Sequence, residues 1–382
     1  MANLLMLSFW ESESFLSYDT IVIGSGIVGL STAISLKEKA PERSVLVLER
    51  GLFPTGASTR NAGFACFGSL SEILSDLQQG GIDKTLAVIE KRVCGLARLR
   101  ERLGDAAIDY QPVGGFELIF EQALPALSQI ELVNELLRKV YPEGVYTDCP
   151  KLVARFGFQQ ALVRSMVYNP HEGHLHTGLL MRALLRLAQE KGVEIRTGAE
   201  VVDIEENDSC MKIHVQELTR GQIAFRAEQV AVCTNAFTQT LLPHTTISPG
   251  RGQVIITKPV PNLPWEGAFH FNEGFYYFRN VGNRVLLGGG RNLAFEEETS
   301  TQMQANPVIL AELERLLREV ILPGQAWELA QHWSGVMGFS DDKQPIMQKI
   351  SPRLVLGFAC NGMGVSLAST VGDEVADLLL GS

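Results

Sequence analysis

Gly24-Ser25-Gly26-Ile27-Val28-Gly29 leaves this chain few folds to choose from. The apolar, β-branched run Asp19 to Ile23 leads into it, as a buried parallel strand does. After it, Val28, Leu30, Ala33, Ile34 and Leu36 fall at helical spacing, Ala40-Pro41-Glu42-Arg43 breaks the pattern, and Ser44 to Leu48 gives a second buried strand. Such a strand, helix and strand form the smallest unit of a doubly wound sheet. Gly24 permits the tight turn, Gly26 lets backbone approach a pyrophosphate, and Gly29 lets the helix lie close on the strand. The helix start at Val28 offers unpaired N–H groups and a partial positive charge, which suits a diphosphate. Glu49, followed by Arg50, is placed to accept a bond from a ribose hydroxyl. The unit predicts a dinucleotide site without choosing between FAD and NAD.

Two further segments narrow that choice. Gly56-Ala57-Ser58-Thr59-Arg60-Asn61-Ala62-Gly63 combines small residues with side-chain donors, so backbone can run beside a flat ring or along a diphosphate. Near the other end, Gly357-Phe358-Ala359-Cys360-Asn361-Gly362-Met363-Gly364-Val365 reads as a strand running into a glycine turn and a helix. That helix start aims its dipole into the cleft and stabilises negative charge there.

Between these ends the pattern changes. Asp83 is placed to cap a helix that stops at Gly104 and carries Lys91, Arg92, Arg98, Arg100 and Arg102 on the face expected to meet solvent. Further helices are expected over Ser128–Val140, from a Thr177 cap to Lys191, over Val308–Val320 and over Gly364–Leu380. Val201 to Val232 reads as an antiparallel meander with turns at Asn207-Asp208-Ser209 and Arg220-Gly221; residues 251–257, 275–279 and 284–290 read as further antiparallel strands.

With 382 residues the chain exceeds one ordinary core and suggests two domains. A net charge of −10, with no basic run interleaved with aromatics, argues against nucleic acid as partner. The 6 cysteines stand singly, which suggests reduced thiols in the cytoplasm. The apolar start, Leu4 to Leu7 with Phe9 and Trp10, has no preceding cation and is followed by Glu11 and Glu13, so packing on the folded body is expected rather than export. No run of about 18 apolar residues predicts a transmembrane segment.

The three glycine-containing segments resemble the D-amino-acid oxidase superfamily of FAD-dependent oxidoreductases, over most of the chain. The nearest likeness is to its gamma-glutamylputrescine oxidase branch, through Phe9-Trp10-Glu11, the Arg60–Gly63 turn and Asn283-Arg284-Val285-Leu286-Leu287-Gly288-Gly289-Gly290. The resemblance implies an α/β fold: an FAD-binding doubly wound, Rossmann-like domain (1–80, 150–236 and 335–382) with an inserted antiparallel-sheet substrate domain (81–149 and 237–334). It implies adenosine near Glu49 and the Val201–Val202 strand, and pyrophosphate on Gly26 and Ser58. The isoalloxazine would lie between Asn61–Gly63 and Gly362–Val365, with Thr234, Asn235, Gly335 and Met337 beside it. The implied reaction is oxidation of a C–N bond in an amine or amino acid by hydride transfer to flavin N5, with oxygen reduced to hydrogen peroxide. A dehydrogenase of the same fold passing electrons to a quinone or partner protein, and a non-catalytic flavin-binding subunit, stay open as alternatives.

The sequence departs from the family where substrate is gripped. Met337 stands where glycine oxidase-like members carry an arginine, Gly364 where sarcosine oxidase-like members carry a lysine, and Leu286 near their oxygen-activating lysine. Val336–Gly338 lacks the cysteine of covalent flavin attachment, so non-covalent FAD is expected. Arg251, Arg279 and Arg291 are the substitute candidates for substrate contact. Tyr277 matches the family's active-site tyrosine, Phe64 and Phe67 are candidates to line an apolar pocket, and His270 and His332 are candidate bases. His171-Glu172-Gly173-His174-Leu175-His176 lacks metal-site spacing, so no metal is expected, and Cys360 is expected to pack rather than react.

Overall fold

The computed structural model describes residues 7–217 and 221–381. Leu4–Met6, and Arg220 of the expected Arg220-Gly221 turn, lie outside the described residues. Two eight-stranded sheets and one two-stranded ribbon organise the chain. In the first sheet the order is Ile346–Lys349, Leu354–Phe358, Gly221–Val232, Ser17–Ile23, Val45–Glu49 and Glu194–Thr197. The last five are mutually parallel, and Ile23 pairs opposite Leu48 so that both central strands end level at Gly24 and Glu49. Val45–Glu49 is buried along its whole length, which explains its unbroken apolar run.

One face of this sheet carries helices Ile27–Lys39, Thr177–Glu190 and Gly364–Leu380, with Ile82–Leu103 packed outside the last. Small residues let them approach. A Cβ at Gly372 would sit 2.6 Å from Ser31 Cβ, and one at Gly95 2.1 Å from the Ser366 carbonyl oxygen. The other face is covered by the meander Glu200–Glu206, Met211–Glu217 and Gly221–Val232.

The second sheet runs Leu329–Phe339, Ser248–Thr257, Arg284–Gly289, Tyr276–Val281, Ala268–Phe271, Gly115–Phe120, Val163–Asn169 and Thr147–Asp148. Its faces separate by strand alternation. Phe116, Phe269, Phe278 and Tyr276 enter an aromatic core in which Phe269 and Phe278 stack at 4.5 Å. Glu117, His270, Tyr277 and Arg279 occupy the alternate positions and face the first sheet's side of the molecule.

Sheet membership draws a different line from the segments read in the sequence. Val163–Asn169 pairs in the second sheet, whereas Leu96, Leu99 and Ile108 pack into the core of the first. Local expectations also shift. Gly81, not Asp83, precedes the helix Ile82–Leu103, and its basic face divides: Lys91, Arg98 and Arg100 reach solvent as expected, whereas two arginines are buried. Arg92 pairs with Glu72, and Arg102, whose side chain is 3% exposed, joins Glu38 and Asp373. The helix expected over Ser128–Val140 shortens to Ile130–Leu136, because Pro125 holds the preceding turn in 3₁₀ form. His176 rather than Thr177 caps the helix Thr177–Glu190, its Nδ1 accepting from the Leu179 N–H at 3.2 Å. Among the described residues no helix is long and apolar enough to cross a membrane.

Candidate active site

A cavity of about 640 Å³ runs from the ends of the central parallel strands to the polar face of the second sheet, within the range of cofactor and ligand sites. Three helices start at its wall with no hydrogen bond from the side chain of the N-cap residue itself: Ile27–Lys39 at Gly26, the single turn Ala57–Arg60 at Gly56, and Gly364–Leu380 at Met363. Such starts present backbone N–H groups and a positive dipole end to whatever fills the space.

The glycines behave as the motif requires. Gly24 has φ +101°, and a Cβ there would sit 2.8 Å from the Cys233 carbonyl oxygen; one at Gly29 would lie 1.9 Å from the Gly24 oxygen. Gly29 therefore packs helix on strand and does not line the cavity, whereas Gly24, Gly26 and Ile27 do. The Ile27 N–H donates to Ser58 Oγ at 2.9 Å, which ties the first glycine turn to the second. Glu49, 6% exposed, accepts from Ser25 N–H and Oγ–H and from Gly51 N–H, so its carboxylate is fixed at the cavity wall. Arg50 lies 4.0 Å over the Phe237 ring beside it. These donors, glycine approaches and the fixed acid fit an extended dinucleotide.

Two expected contacts move. Val202 points to solvent at 38% exposure, and Val201 lines the cavity instead, because adjacent strand residues face opposite ways. Thr59 turns inward to bond the Pro54 carbonyl and does not line the cavity.

The Asn61–Gly63 turn is held from several sides. Asn61 Oδ1 accepts from Gly63 N–H at 2.8 Å and from Thr177 Oγ at 3.0 Å. Leu175 N–H donates to the Gly63 carbonyl at 2.8 Å, and Phe64-Ala65 pairs with Gly173-His174 as the two-stranded ribbon. Arg60 lines the cavity with its guanidinium drawn to the Ser334 carbonyl at 2.9 Å, against Gly335. Across the cavity Asn235 (φ 51°) and Asn361 (φ 50°) take left-handed turns, Asn235 accepting from Ala359 N–H and Asn361 from Ser340 N–H. Ala62, Thr234, Met337, Gly362, Met363, Gly364 and Val365 complete that wall.

The cavity wall toward the second sheet is formed by Phe64, edge-on to both His270 (4.9 Å) and Tyr277 (5.5 Å). Burial pushes the Tyr277 hydroxyl up to about 12 and His270 down to about 4, so both are neutral at physiological pH. Arg291 lines the cavity with its guanidinium 4.4 Å from the Phe339 centroid and 5.2 Å from that of Phe295. Among the described residues no carboxylate lies within ion-pair distance of it, and its Nε has no hydrogen-bond partner. Burial lowers its pKa, and Glu298 opposes this through space without forming an ion pair.

The other sequence candidates lie elsewhere. Arg251 is locked in a fork to Glu298, with Nη2–Oε1 at 2.6 Å and Nε–Oε2 at 3.0 Å, so it cannot grip a substrate. Arg279 is buried behind the cavity wall, and His332 is exposed on the far face of its strand. Phe67 is core, 1% exposed and stacked on Tyr141. Leu286 sits in an apolar cluster with Ala62 and Val254. The three loop histidines have separate jobs: His171 stacks on Tyr141 at 3.8 Å, His174 pairs in the ribbon, and His176 caps a helix. Burial pushes the cavity thiols Cys233 and Cys360 up to about 12, so neither is a ready nucleophile.

Glu172, buried at 2% exposure, was not singled out by sequence reasoning. Its only sequence signal is an acid between histidines, which reads as metal or loop before the ribbon places it beside His270.

The family model described as DAO, FAD dependent oxidoreductase, matches residues 19–378. Among curated proteins, the chain is 25% identical to "Probable oxidoreductase OrdL" of Haemophilus influenzae over 381 residues, covering 95% of this chain and 83% of the relative. Among solved structures, glycine oxidase from Geobacillus kaustophilus superposes with a TM-score of 0.76 at 21% identity, covering 96% of this chain and 95% of that one. L-proline dehydrogenase from P. horikoshii superposes equally well, TM-score 0.76 at 16% identity over 95% of this chain and 93% of that one.

Proposed function

The chain belongs to the DAO family of FAD-dependent oxidoreductases, and on that premise we propose that it oxidises the C–N bond of a small amine or amino acid carrying a carboxylate. The observation that carries this reading is the Arg291 guanidinium, which forms no ion pair among the described residues and is held over two aromatic rings inside the cavity that also receives three helix starts. A buried, oriented guanidinium favours a bidentate carboxylate partner. The names of the similar solved structures, glycine oxidase and L-proline dehydrogenase, support an amine nitrogen beside that carboxylate.

When bound, FAD supplies a hydride acceptor for the carbon beside the nitrogen and passes the electrons on to dioxygen as hydrogen peroxide. Gly26 and Ile27 would hold its pyrophosphate, Glu49 its ribose, and the Met363–Val365 helix start the electron-rich end of its ring. Phe64 and Tyr277 exclude water from the carbon to be oxidised, and Arg291 fixes the carboxylate so that the C–H bond points one way. Anaerobic bleaching of the flavin by a panel of amines, polyamines and amino acids tests the reading: carboxylated amines should bleach fastest, and a panel that leaves the flavin oxidised would sink it.

Leu286 favours a second reading of the electron acceptor. An apolar cluster at that position supplies no cation to stabilise reduced oxygen, which suits a dehydrogenase feeding a quinone or partner protein. In air the bleached flavin then recovers slowly, and an added quinone restores it quickly; fast peroxide release would decide for oxygen.

We take the flavin to be non-covalent, because the thiols facing it are held protonated. Acid precipitation should leave the yellow colour in the supernatant, and colour retained in the pellet would contradict this. The free state of all described cysteines supports a reducing, cytoplasmic setting.

A further inference from the structure

Behind the substrate wall lies a group of buried ionisable side chains that the reading above leaves idle. His270 stands in register with Tyr277 on one neighbouring strand and Glu117 on the other. Its Nε2 has no hydrogen-bond partner among the described residues and lies 3.7 Å from Glu172 Oε2. Glu172 reaches that point only because residue 115 is glycine: a Cβ at Gly115 would sit 2.1 Å from its Oε2. The other oxygen, Oε1, accepts from Phe67 N–H at 3.1 Å and Gly68 N–H at 3.3 Å. One half of the carboxyl is therefore anchored to backbone while the other half faces the imidazole, and the imidazole lines the cavity.

An amine reaches the enzyme near neutral pH as an ammonium, whose nitrogen lone pair is tied up in an N–H bond. Loss of a hydride from the adjacent carbon needs that lone pair, so a proton must leave first. We propose that His270 is the catalytic residue that takes this proton and that Glu172 is the positioning residue that stores it. The substrate N–H bond breaks with its electron pair left on nitrogen, and an N–H bond forms on the imidazole. The imidazole's Nε2 proton passes to Glu172 Oε2, so the ring ends neutral and the carboxylate ends as a carboxylic acid. This rests on the amine-oxidising reading given above.

The surroundings place the proton's resting position on the acid. Burial pushes Glu172 up to about 8; the Phe67 and Gly68 N–H groups oppose this, and Glu72 and Glu117 add to it. Cys66, Tyr110, Tyr141 and Tyr146 also face Glu172 from the elements packed around it. Burial holds His270 low, so the ring passes a proton on rather than keeping it. The accepting form is ionised Glu172, so the step speeds up as pH rises through the raised Glu172 value and slows below it.

The test uses the FAD-loaded enzyme, its Glu172→Gln and His270→Gln variants, and saturating carboxylated amine without oxygen, from about pH 6 to about pH 10. Glutamine keeps an oxygen to accept from Phe67 and Gly68, so the fold is preserved. The wild-type limiting rate of bleaching should rise with pH and level off above about 8. In Glu172→Gln it should fall about 100-fold near neutral pH, lose its pH dependence and leave KM little changed. Independently of turnover, pH-difference infrared spectra should show buried carboxylic-acid C=O absorption that fades as pH rises, and the component with its midpoint at about 8 should be lost in Glu172→Gln while that of Glu117, pushed up to about 7, stays. An unchanged pH–rate profile in Glu172→Gln, or identical carboxylic-acid absorption with the same midpoints in both proteins, overturns the pair while the amine reading stands. Wild-type flavin that no amine bleaches overturns the amine reading and the proposed step with it.

Discussion

Gly29→Ala is expected to purify with little or no flavin. The added Cβ would lie 1.9 Å from the Gly24 carbonyl oxygen, 3.1 Å from its carbon and 3.4 Å from Cys233 Cβ. The first two obstacles are backbone, so the helix Ile27–Lys39 must move off the strand that it follows. Overpacking of this kind costs about 1–3 kcal/mol in a rigid core. Here the displaced element is also the one whose start we propose for the pyrophosphate. A shift of the start weakens charge-assisted bonds that depend on close geometry, and a loss of about 1.4 kcal/mol already lowers affinity tenfold. The ratio of flavin to protein absorbance checks the outcome. Gly80→Ala is the control: its nearest neighbour to a new Cβ is Lys84 Cβ at 3.9 Å, and the residue ends a surface helix. That variant should keep its flavin, and equal flavin content in both would refute the packing role of Gly29.

Arg291→Met carries the second large effect. Methionine preserves the apolar contact with Phe295 and Phe339 and removes only the charge. Removing one partner of a buried charge pair costs about 2–5 kcal/mol, so kcat/KM for a carboxylated amine should fall about 30-fold or more. The same amine without its carboxylate should change less than about threefold, because it never made the contact. Arg291→Lys should recover only part of the loss, since a point charge on a flexible stem does not reproduce a planar fork. Equal losses on both amines would place Arg291 in the fold rather than in recognition. Arg251, which sequence reasoning ranked beside it, should behave in that second way: its guanidinium is spent on Glu298, which is 0% exposed.

The contrast between these two arginines shows where sequence reading stops. Both follow or precede glycines near strand ends, and nothing local separates them. What separates them is Glu298, distant in sequence from Arg251 yet forked directly to it, whereas it acts on Arg291 only through space and leaves that guanidinium over two rings. The cofactor half was legible because its signals are local. Strand, glycine turn and helix follow one another along the chain, and each glycine answers a contact within a few residues or on the adjacent strand. Even there the alternation of Val201 and Val202 was out by one, since a strand's facing is fixed by partners rather than by composition. Helix interiors were read well and helix starts less so. His176 displaced Thr177 as cap because the Thr177 hydroxyl is drawn to Asn61. Glu172 was invisible for a different reason: its role depends on Gly115 and His270, brought to it by two separate strands.

Residues 172–177 acquire from this a significance that neither sheet has alone. Within six positions they supply the acid behind His270, the ribbon partner of Phe64-Ala65, the hydrogen bond to Gly63 and the hydroxyl on Asn61. The turn proposed to border the flavin ring and the wall proposed to meet the substrate therefore hang from one strip of chain. A chimera that grafts a foreign substrate sheet onto this flavin domain has to carry that strip across, or carry a matched pair of strip and turn. Changing its length by a single residue would shift the flavin turn and the acid out of register together, so neither specificity nor cofactor affinity can be remodelled here without the other.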